Sequence, residues 1–569
     1  MMDLSRTANA VTAIREHARS APERTALIVV DDVAADQRWS FAQVDAAARR
    51  TGACLAAHGR VGDRVLLLYP TGFEFVAALV GCLYAGMVAV PAPLPGYPHE
   101  RARARRIAEN AGVSAVLTDP AEAGHVAEWL RSTGLADLPL MTTDGDAAED
   151  AESWSPIEPE HDTPAILQYT SGAIDEPRGV LVSHGDLLHN VETQRRAYEL
   201  SAGTRLGGWV PLHHAMGLFG HLLPALLVGG GCVLMHPAAF IRRPYLWLRL
   251  IDEYDVHASA APDFAFAMCQ ARVTDEELAE LDLSRWRVGV SAGERVHIET
   301  LEAFAKRFAP AGLRDDVVCP SYGLTEATLV VSTDPFRRAV VTRVDEHGLE
   351  RHRFIPSTVG QAVVSCGRPR DVEVLIADPG TGEALPAGSI GEIWVRGPSV
   401  CRGYWGDEAT TDPGVSGDGY VRTGDLGTLH GGELYVTGRV AELLVVDGRC
   451  LYPQEIERAL RAQIRGLGII SAIFTVPREG SASGDALVVV SEVNGRPSED
   501  RLRHLADEIN RTLDREFGLR ADGTFLLRRG GVVRATSGKV KRPAMRRRFL
   551  DGDLVAVYSD GEPLVVTAS

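Results

Sequence analysis

Three kinds of signal are missing from this chain of 569 residues. Its eight cysteines are scattered and form no C-x-x-C pair, so buried thiols are expected rather than a zinc site or a disulfide framework. The first residues, MMDLSRTANA, lack the basic and apolar regions of a signal peptide. The longest apolar stretch, Val76–Val90, is interrupted by glycines and predicts a buried helix leading into a strand, not a membrane span. A reducing cytoplasm is the expected compartment.

An excess of positive charge is missing as well. The net charge of -17 argues against a general nucleic-acid binder, because phosphate backbones select basic surfaces. One segment, 528–548, departs from this average and contains no acid. Its cations are Arg528, Arg529, Arg534, Lys539, Lys541, Arg542, Arg546, Arg547 and Arg548. This basic segment is either a solvated face or a docking surface for an acidic partner.

The composition is that of a globular protein, with 45% hydrophobic and 24% charged residues. At about 150 residues per domain, the length suggests three or four packing units. Helical and strand patterns alternate as far as about Ser332, which predicts parallel sheets covered by helices. Short β-like pieces separated by glycine and proline follow and predict a β-rich subdomain. From about Val440 a small α+β unit begins, with predicted helices over Pro453–Arg465 and Glu499–Phe517.

The stretch YTSGAIDEPRG, residues 169–179, has some of the features of a phosphate-binding loop. It lies between two apolar runs and is therefore predicted to be a turn between strands. Its hydroxyls, glycines and backbone N–H groups suit a phosphate. However, Asp175 and Glu176 add negative charge where a triphosphate would arrive.

Six further motifs follow this loop in order: VPLHHAMGLFG, SAGERV, SYGLTEATL, RTGDLG, TGRVAELLVVDGRCLYPQEIE and TSGKVKR. The series resembles the adenylate-forming superfamily over nearly the whole chain. Within it, LQYTSG, GCLYAGMVAVPAPLPG, TDEELAELDLSRWRV, CPSYGLTEATL and VSCGRP are most similar to the fatty acyl-AMP ligases. The resemblance implies an α/β fold: an N-terminal domain, 1–440, of parallel α/β sheets with a β-rich subdomain, and a small mobile α+β domain, 441–569.

A nucleotide site is implied by the same resemblance. The residues expected to bind the nucleotide are Thr170, Ser171, Gly172, Arg178, Gly293, Glu294, Tyr322, Gly323, Thr325, Asp425 and Arg439. Tyr322 would lie against the adenine, in a slot lined by Gly293 and Glu294. Thr325 would hydrogen-bond the α-phosphate. Asp425 would accept hydrogen bonds from both ribose hydroxyls, with Arg439 in support.

ATP and Mg²⁺ are the implied cofactors, with Glu326 helping to hold the metal. Lys539, on the small domain, would bridge the substrate carboxylate and the α-phosphate, and His214 would lie near the reacting carboxylate. Both reactants are anions, so such cations and donors are needed to offset the charge. Taken singly, each residue has a structural alternative: a cap or surface carboxylate for Glu326 and Asp425, a core aromatic for Tyr322, or a packed histidine.

Several positions depart from the superfamily pattern. Residues 173–175 replace hydroxyls and a glycine in the loop, whereas Arg178 keeps the positive charge of the usual lysine. We expect weakened handling of the β- and γ-phosphates and retained nucleotide binding. Ala215 stands where an acid is usual, and Ala441 occupies the hinge position, where a small residue still permits rotation.

The leading hypothesis is a ligase that activates a fatty or related carboxylic acid as acyl-AMP and transfers the acyl group to an acyl carrier protein. Segment 336–368 is the candidate for the insertion of this branch, which restrains domain rotation and disfavours free coenzyme A. Carrier proteins are acidic, so the basic segment is a plausible dock. The alternatives are an acyl-CoA ligase, an adenylating enzyme with another acceptor, and a catalytically weak AMP-binding protein. Residues 221–231 and 261–270 are expected to contribute walls of the acyl tunnel, but the acid itself is not specified.

Overall fold

The computed structural model describes residues 4–31, 35–143, 151–170, 178–406, 414–446, 449–477, 485–534 and 540–561. Its strands, in chain order, are β1 Thr25–Val30, β2 Gln37–Ser40, β3 Arg64–Leu68, β4 Val88–Ala92, β5 Ala115–Thr118, β6 Leu140–Thr142, β7 Pro164–Tyr169, β8 Gly179–Ser183, β9 Arg205–Gly208, β10 Gly231–Met235, β11 Val256–Ala261, β12 Val288–Ser291, β13 Val318–Gly323, β14 Val330–Thr333, β15 Val341–Val344, β16 Gln361–Val364, β17 Arg368–Pro369, β18 Glu373–Ala377, β19 Gly391–Arg396, β20 Val421–His430, β21 Glu433–Arg439, β22 Leu444–Val446, β23 Arg449–Leu451, β24 Leu467–Val476, β25 Ala486–Val493, β26 Gly523–Arg528 and β27 Ala556–Gly561.

The α-helices are α1 Ala10–Ser20, α2 Phe41–His58, α3 Phe73–Tyr84, α4 Pro98–Ala111, α5 Ala123–Thr133, α6 His184–Ala197, α7 Ala215–Gly217, α8 Leu223–Val228, α9 Pro237–Arg242, α10 Tyr245–Glu253, α11 Asp263–Arg272, α12 Asp275–Ala279, α13 Ile298–Phe308, α14 Glu346–Leu349, α15 Pro453–Gln463, α16 Glu499–Phe517 and α17 Arg542–Leu550. A π-helical turn, Leu218–Leu222, joins α7 to α8. Short 3₁₀ helices cover Leu4–Arg6, Pro120–Glu122, Ala309–Ala311, Thr325–Ala327 and Val440–Glu442.

Two large sheets form most of the chain. One has nine strands in the order β17-β14-β13-β12-β11-β9-β10-β1-β2, and the other has six in the order β6-β5-β3-β4-β7-β8. The strands from β13 to β1 of the first sheet pair in parallel, as do those from β6 to β7 of the second. Helices cover these sheets because parallel strands need crossover connections. The α/β fold expected from the alternating pattern is confirmed.

The apolar stretch 76–90 forms the predicted buried helix that leads into a strand. It belongs to α3 and β4, and α3 packs directly on α2. A Cβ atom at Gly81 would lie 2.6 Å from the Thr51 side chain, so glycine is what permits the close contact. No helix in the described part of the chain is both long enough and apolar enough to cross a membrane. The seven cysteines whose side chains are described are all free and buried, as expected.

A β-rich unit and a small α+β unit follow. Strands β18 to β21 form an antiparallel sheet, and β15 and β16 make a separate two-stranded sheet inside segment 336–368. After residue 444, the sheet β24-β25-β26-β27 has helices α15, α16 and α17 around it and hydrophobic clusters of its own. Helix α16 has the predicted limits, whereas α15 ends at Gln463 because Ile464 adopts an extended conformation.

Candidate active site

A cavity of 400 Å³ opens at the carboxyl ends of β11, β12 and β13, where ligands commonly bind in α/β proteins. It is also bordered by the start of β20 and the end of β21. The predicted site residues that line it are Thr170, Arg178, His214, Gly293, Tyr322, Gly323, Thr325, Glu326, Asp425 and Arg439. Ser171, Gly172 and Lys539 lie outside the described residues. Tertiary packing therefore gathers in one place residues that the sequence separates widely.

Asp425 is the best-supported anion of the site. It is buried, and its carboxylate accepts a hydrogen bond from the Tyr322 hydroxyl (2.8 Å) and an ion pair from Arg439 Nε (2.9 Å). Arg439 faces Asp425 across the β20–β21 ladder. Burial raises the pKa of Tyr322, so its hydroxyl keeps its proton and donates. Each carboxylate oxygen thus has one donor and a second lone pair for another. This arrangement suits a pair of vicinal hydroxyls.

A second carboxylate, which the sequence analysis did not single out, fixes the turn before Asp425. Glu392 is buried and accepts hydrogen bonds from the Gly424 backbone N–H (3.0 Å) and Arg422 Nε (3.1 Å). Gly424 has a φ of +70°, a conformation that glycine adopts without strain. Thr423 Oγ1 accepts from the Asp425 N–H at 3.1 Å. Glu392 is therefore a positioning residue for Asp425.

Glu326 lies in the 3₁₀ turn after β13 and is held by Tyr404. The Tyr404 hydroxyl donates to Glu326 Oε1 at 2.6 Å, and the Arg178 guanidinium lies 3.7 Å above the Tyr404 ring. Burial raises the pKa of Glu326, while the Tyr404 hydrogen bond opposes that shift. Sequence reasoning missed Tyr404, because the only local signal was an aromatic pair in CRGYWG.

His214 caps the short helix α7 at the cavity wall. Its Nδ1 accepts a hydrogen bond from the Met216 N–H at 3.3 Å. Burial, assisted by the nearby Arg103 charge, lowers the pKa of His214 to about 4. The imidazole is therefore neutral at pH 7, with Nε2 carrying its proton. His214 thus begins a helix and also lines the cavity, while its place near the reacting carboxylate stays a prediction.

The flanks of the phosphate-loop motif form the predicted pair of strands. β7 and β8 pair antiparallel on either side of it. The Thr170 N–H donates to the Arg178 carbonyl (3.0 Å), and Arg103 Nη2 donates to the Thr170 carbonyl (2.8 Å). Arg103, from α4, is a further cation at this end of the cavity that the sequence did not reveal.

Two predicted features lie elsewhere. Glu294 is not among the residues lining the cavity, and its Oε1 accepts a hydrogen bond from the Phe264 N–H at 2.7 Å. The acyl-wall segments 221–231 and 261–270 also lie outside the lining. Apolar wall comes instead from positions just before them, Gly220, Ala258 and Ala260, together with Val290 and Leu329. The π-helical turn and the end of β11 direct these positions toward the cavity, whereas 221–231 packs into the main core.

The predicted hinge residue, Ala441, lies in a 3₁₀ turn, and the residue after it forms an ion pair. Ala441 lines the cavity, and Glu442 is buried in an ion pair with Arg542 (3.0 Å). Arg542 also pairs with buried Glu457 at 2.6 Å. Arg542 is thus removed from the proposed basic docking surface, because its charge is already satisfied inside the small unit. Arg528, Arg529, Arg534, Arg547 and Arg548 remain exposed.

Comparisons with a family model and with known proteins all indicate the same family of AMP-binding enzymes. Residues 14–405 match the family of AMP-binding enzymes. The chain is 35% identical to the medium-chain fatty acid–acyl carrier protein ligase JamA of Moorena producens, over 90% of each chain. It is 32% identical to the long-chain fatty acid–AMP ligase FadD26 of Mycobacterium marinum, over 94% of this chain and 96% of that one.

A solved structure shares the fold over nearly the full length. It is the fatty acyl-adenylate ligase of L. pneumophila in complex with acyl adenylate and pyrophosphate, with a TM-score of 0.75 and 31% identity. The match covers 99% of both chains. The likeness therefore includes the small C-terminal unit as well as the two large sheets.

Proposed function

Since this chain belongs to the AMP-binding enzymes, in the branch of the fatty acyl-AMP ligases, we propose that it activates a carboxylic acid with ATP and passes the acyl group to an acyl carrier protein. In the first step a carboxylate oxygen attacks the α-phosphorus, and the bond to the pyrophosphate oxygen breaks. In the second step the carrier's thiol sulfur attacks the acyl carbonyl carbon, and AMP leaves.

The observation that carries the proposal is the joining of three chemical features in one cavity. Asp425, with Tyr322 and Arg439, has free acceptor capacity for ribose hydroxyls. Glu326 and His214 line the same space, and an apolar wall adjoins them. A nucleotide and the reacting end of an acid can therefore be held in contact, which lowers the entropic barrier of the reaction.

The side chains have separate tasks in this proposal. Asp425 orients the nucleotide through its sugar, and Thr325 lies two residues beyond β13 where it can donate to the α-phosphate. Neutral His214 has an Nε2 proton available for an oxygen of the acid or phosphate. Arg178, beside Tyr404, offsets negative charge at the phosphate end.

Glu326 fits a divalent cation that is bound mainly by the nucleotide. Mg²⁺ in phosphate-transfer sites usually takes one or two protein carboxylates together with substrate phosphates. Within the described residues no cluster of three or more His, Cys, Asp or Glu side chains could hold a metal alone. A bound Mg²⁺ would neutralise charge on the phosphates, and Glu326, oriented by Tyr404, would supply its protein ligand.

Lys539 is proposed to reach the cavity from the small domain, 441–569. Among the described residues around it, Arg534 and Val540 form an antiparallel bridge, and the Lys541 N–H donates to the Val533 carbonyl at 2.9 Å. The Arg542 ion pairs then tie this region to the hinge. Lys539 would bridge the two anionic reactants once the small domain closes on the cavity.

The choice of acceptor is supported by segment 336–368. Glu350 of this segment forms an ion pair with Arg449 of the small unit, and Phe354 shares a hydrophobic cluster with Tyr452. Such contacts would restrain rotation of the small domain and so disfavour free coenzyme A. The exposed arginines that remain in segment 528–548 suit an acidic carrier protein.

The test is a search for acyl-AMP by mass spectrometry after incubation with ATP, Mg²⁺ and a panel of carboxylic acids. Lys539→Ala should abolish the product, whereas Lys306→Ala, at an exposed position on α13, should not. Adenylate that is consumed by holo carrier protein but not by coenzyme A would support the full proposal. Consumption by coenzyme A would support an acyl-CoA ligase. AMP binding by calorimetry without any adenylate would support a catalytically weak binding protein.

A further inference from the structure

Two cations from distant parts of the chain meet at the phosphate end of the cavity. Arg103, on α4, donates from Nη2 to the carbonyl of Thr170 (2.8 Å), and Thr170 lines the cavity. Lys541, the N-cap residue of α17, lies within range of the Arg103 charge. We call Arg103 and Lys541 the cation pair. The N-terminal part of the chain and the small unit thus each contribute one positive charge beside the cavity.

Local contacts hold both members of the cation pair. Arg103 is half-buried, and its hydrogen bond to Thr170 directs the guanidinium toward the strand end that borders the cavity. The backbone N–H of Lys541 donates to the Val533 carbonyl (2.9 Å). The next residue, Arg542, is buried in ion pairs with two carboxylates. The start of α17 is therefore fixed within the small unit, and it presents Lys541 to α4.

No carboxylate neutralises the cation pair within the part of the chain that the structure describes. Neither Arg103 nor Lys541 forms an ion pair there, and the charged groups that act on them are themselves cations. Burial and the Arg106 charge lower the pKa of Arg103, and burial with the charges of Arg103 and Arg106 lowers that of Lys541. Like charges gathered in this way disfavour one another and attract an anion.

The neighbouring contacts indicate which anion this is. The Thr170 N–H donates to the Arg178 carbonyl (3.0 Å), and the Arg178 guanidinium lies on the ring of Tyr404, whose hydroxyl bonds Glu326. A continuous series of contacts therefore connects the proposed metal ligand, Glu326, with Arg103. Phosphates that share a cation with Glu326 and extend beyond the α-phosphate would approach this end of the cavity.

The loop sequence gives a reason for cations outside it. Asp175 and Glu176 add two negative charges to a motif that retains one positive charge, Arg178. A leaving phosphate group gains negative charge as its bond breaks, so it needs cations that the loop residues do not supply in excess. Arg103 and Lys541 provide two.

We propose that Arg103 and Lys541 bind the pyrophosphate that leaves ATP in the first step. When the bond from the α-phosphorus to the bridging oxygen breaks, its electron pair stays on that oxygen, and the two cations offset the charge. The inference rests on the proposed acyl-AMP ligase activity and adds two phosphate-binding residues to its site. It also joins α4 and α17 through the bound anion.

The experiment measures pyrophosphate binding directly. Pyrophosphate with Mg²⁺ is titrated by calorimetry into the full chain saturated with AMP. Arg103→Gln and Lys541→Gln should each raise the Kd for pyrophosphate about 10- to 100-fold, the size of one hydrogen bond to a charged group. Gln at position 103 keeps an N–H donor for the Thr170 carbonyl, so the change removes mainly the charge. The KM for pyrophosphate in ATP–pyrophosphate exchange should rise in parallel, and the Kd for AMP should stay within twofold.

A matched control lies on the same helix. Arg105 has an exposed side chain in an ion pair with Glu109 (2.8 Å), and Arg105→Gln should leave pyrophosphate binding unchanged. Equal loss of AMP and pyrophosphate binding in Arg103→Gln would show a structural role only and overturn the inference.

Two further outcomes separate this inference from the proposed function. Unchanged pyrophosphate binding in both variants, with slower transfer to holo carrier protein, would assign the cation pair to the phosphate of the carrier's phosphopantetheine and overturn the inference while the ligase activity stands. No adenylate from any acid would overturn the proposed function, whereas pyrophosphate binding that both variants lose would still support the cation pair as its site.

Discussion

The Tyr404–Glu326 contact allows a conservative test of the proposed metal ligand. Tyr404→Phe removes one hydroxyl and keeps the ring on which Arg178 lies at 3.7 Å. The lost hydrogen bond is short, 2.6 Å, and its acceptor is a carboxylate. Hydrogen bonds to charged groups contribute about 1.5–3 kcal/mol, and 1.4 kcal/mol corresponds to about tenfold. We therefore expect the kcat/KM of adenylate formation to fall about 10- to 100-fold.

The assay is ATP–pyrophosphate exchange at several Mg²⁺ concentrations, with AMP binding measured in parallel by calorimetry. Exchange should weaken most at low Mg²⁺, whereas the Kd for AMP should change little, because the Tyr322–Asp425 contact is untouched.

Tyr420→Phe is the matched control for this substitution. The Tyr420 hydroxyl also donates to a carboxylate, Glu373 (2.9 Å), and its ring lies under a guanidinium, that of Arg396 (4.4 Å). It does not line the cavity. Exchange by Tyr404→Phe within twofold of the wild type, or an equal loss in Tyr420→Phe, would refute a role for the Tyr404 hydroxyl in orienting Glu326.

Three other outcomes follow from named contacts. Asp425→Asn should weaken AMP binding by about tenfold or more in calorimetry, because an ionic acceptor of the ribose site is lost; unchanged binding would place the ribose elsewhere. Arg542→Met removes the cation that pairs with two buried carboxylates and should destabilise the small unit by about 3–5 kcal/mol, whereas Arg547→Met, at an exposed position, should not; equal thermal shifts would contradict this. Burial lowers the pKa of His184 and His221 to about 4, against about 6.5 in the unfolded chain. Their contribution to the free energy of unfolding is therefore complete above pH 6.5 and is lost as the pH falls toward 4. Tm should drop over that window, and less so in His221→Gln; parallel curves would argue against a role for His221.

Local pattern was sufficient for much of the fold. Strands β7 and β8 are where apolar runs flank the loop motif, and α16 has the predicted limits. A short stretch of sequence is sufficient to predict such strands and helices, because the periodicity of its apolar residues decides which face is buried. The run Tyr322–Glu326 and the residues Asp425 and Arg439 were singled out in another way, through the family resemblance, since each belongs to one of its short motifs.

Contacts between residues that are far apart in the chain could be identified only from the structure. Tyr404 and Glu326 are 78 positions apart, and Arg103 and Thr170 are 67 apart. Neither pair leaves a signal in sequence spacing, because their meeting depends on how whole elements pack.

Arg542 shows the same limit most directly. In the sequence it is one member of a basic segment, and only tertiary packing reveals that it is buried between Glu442 and Glu457. The sequence by itself determined the fold class, the family motifs and the nucleotide chemistry, which depend on residue type and order. The tertiary structure alone decided which charges are paired inside the protein, because burial and pairing are properties of the packed chain.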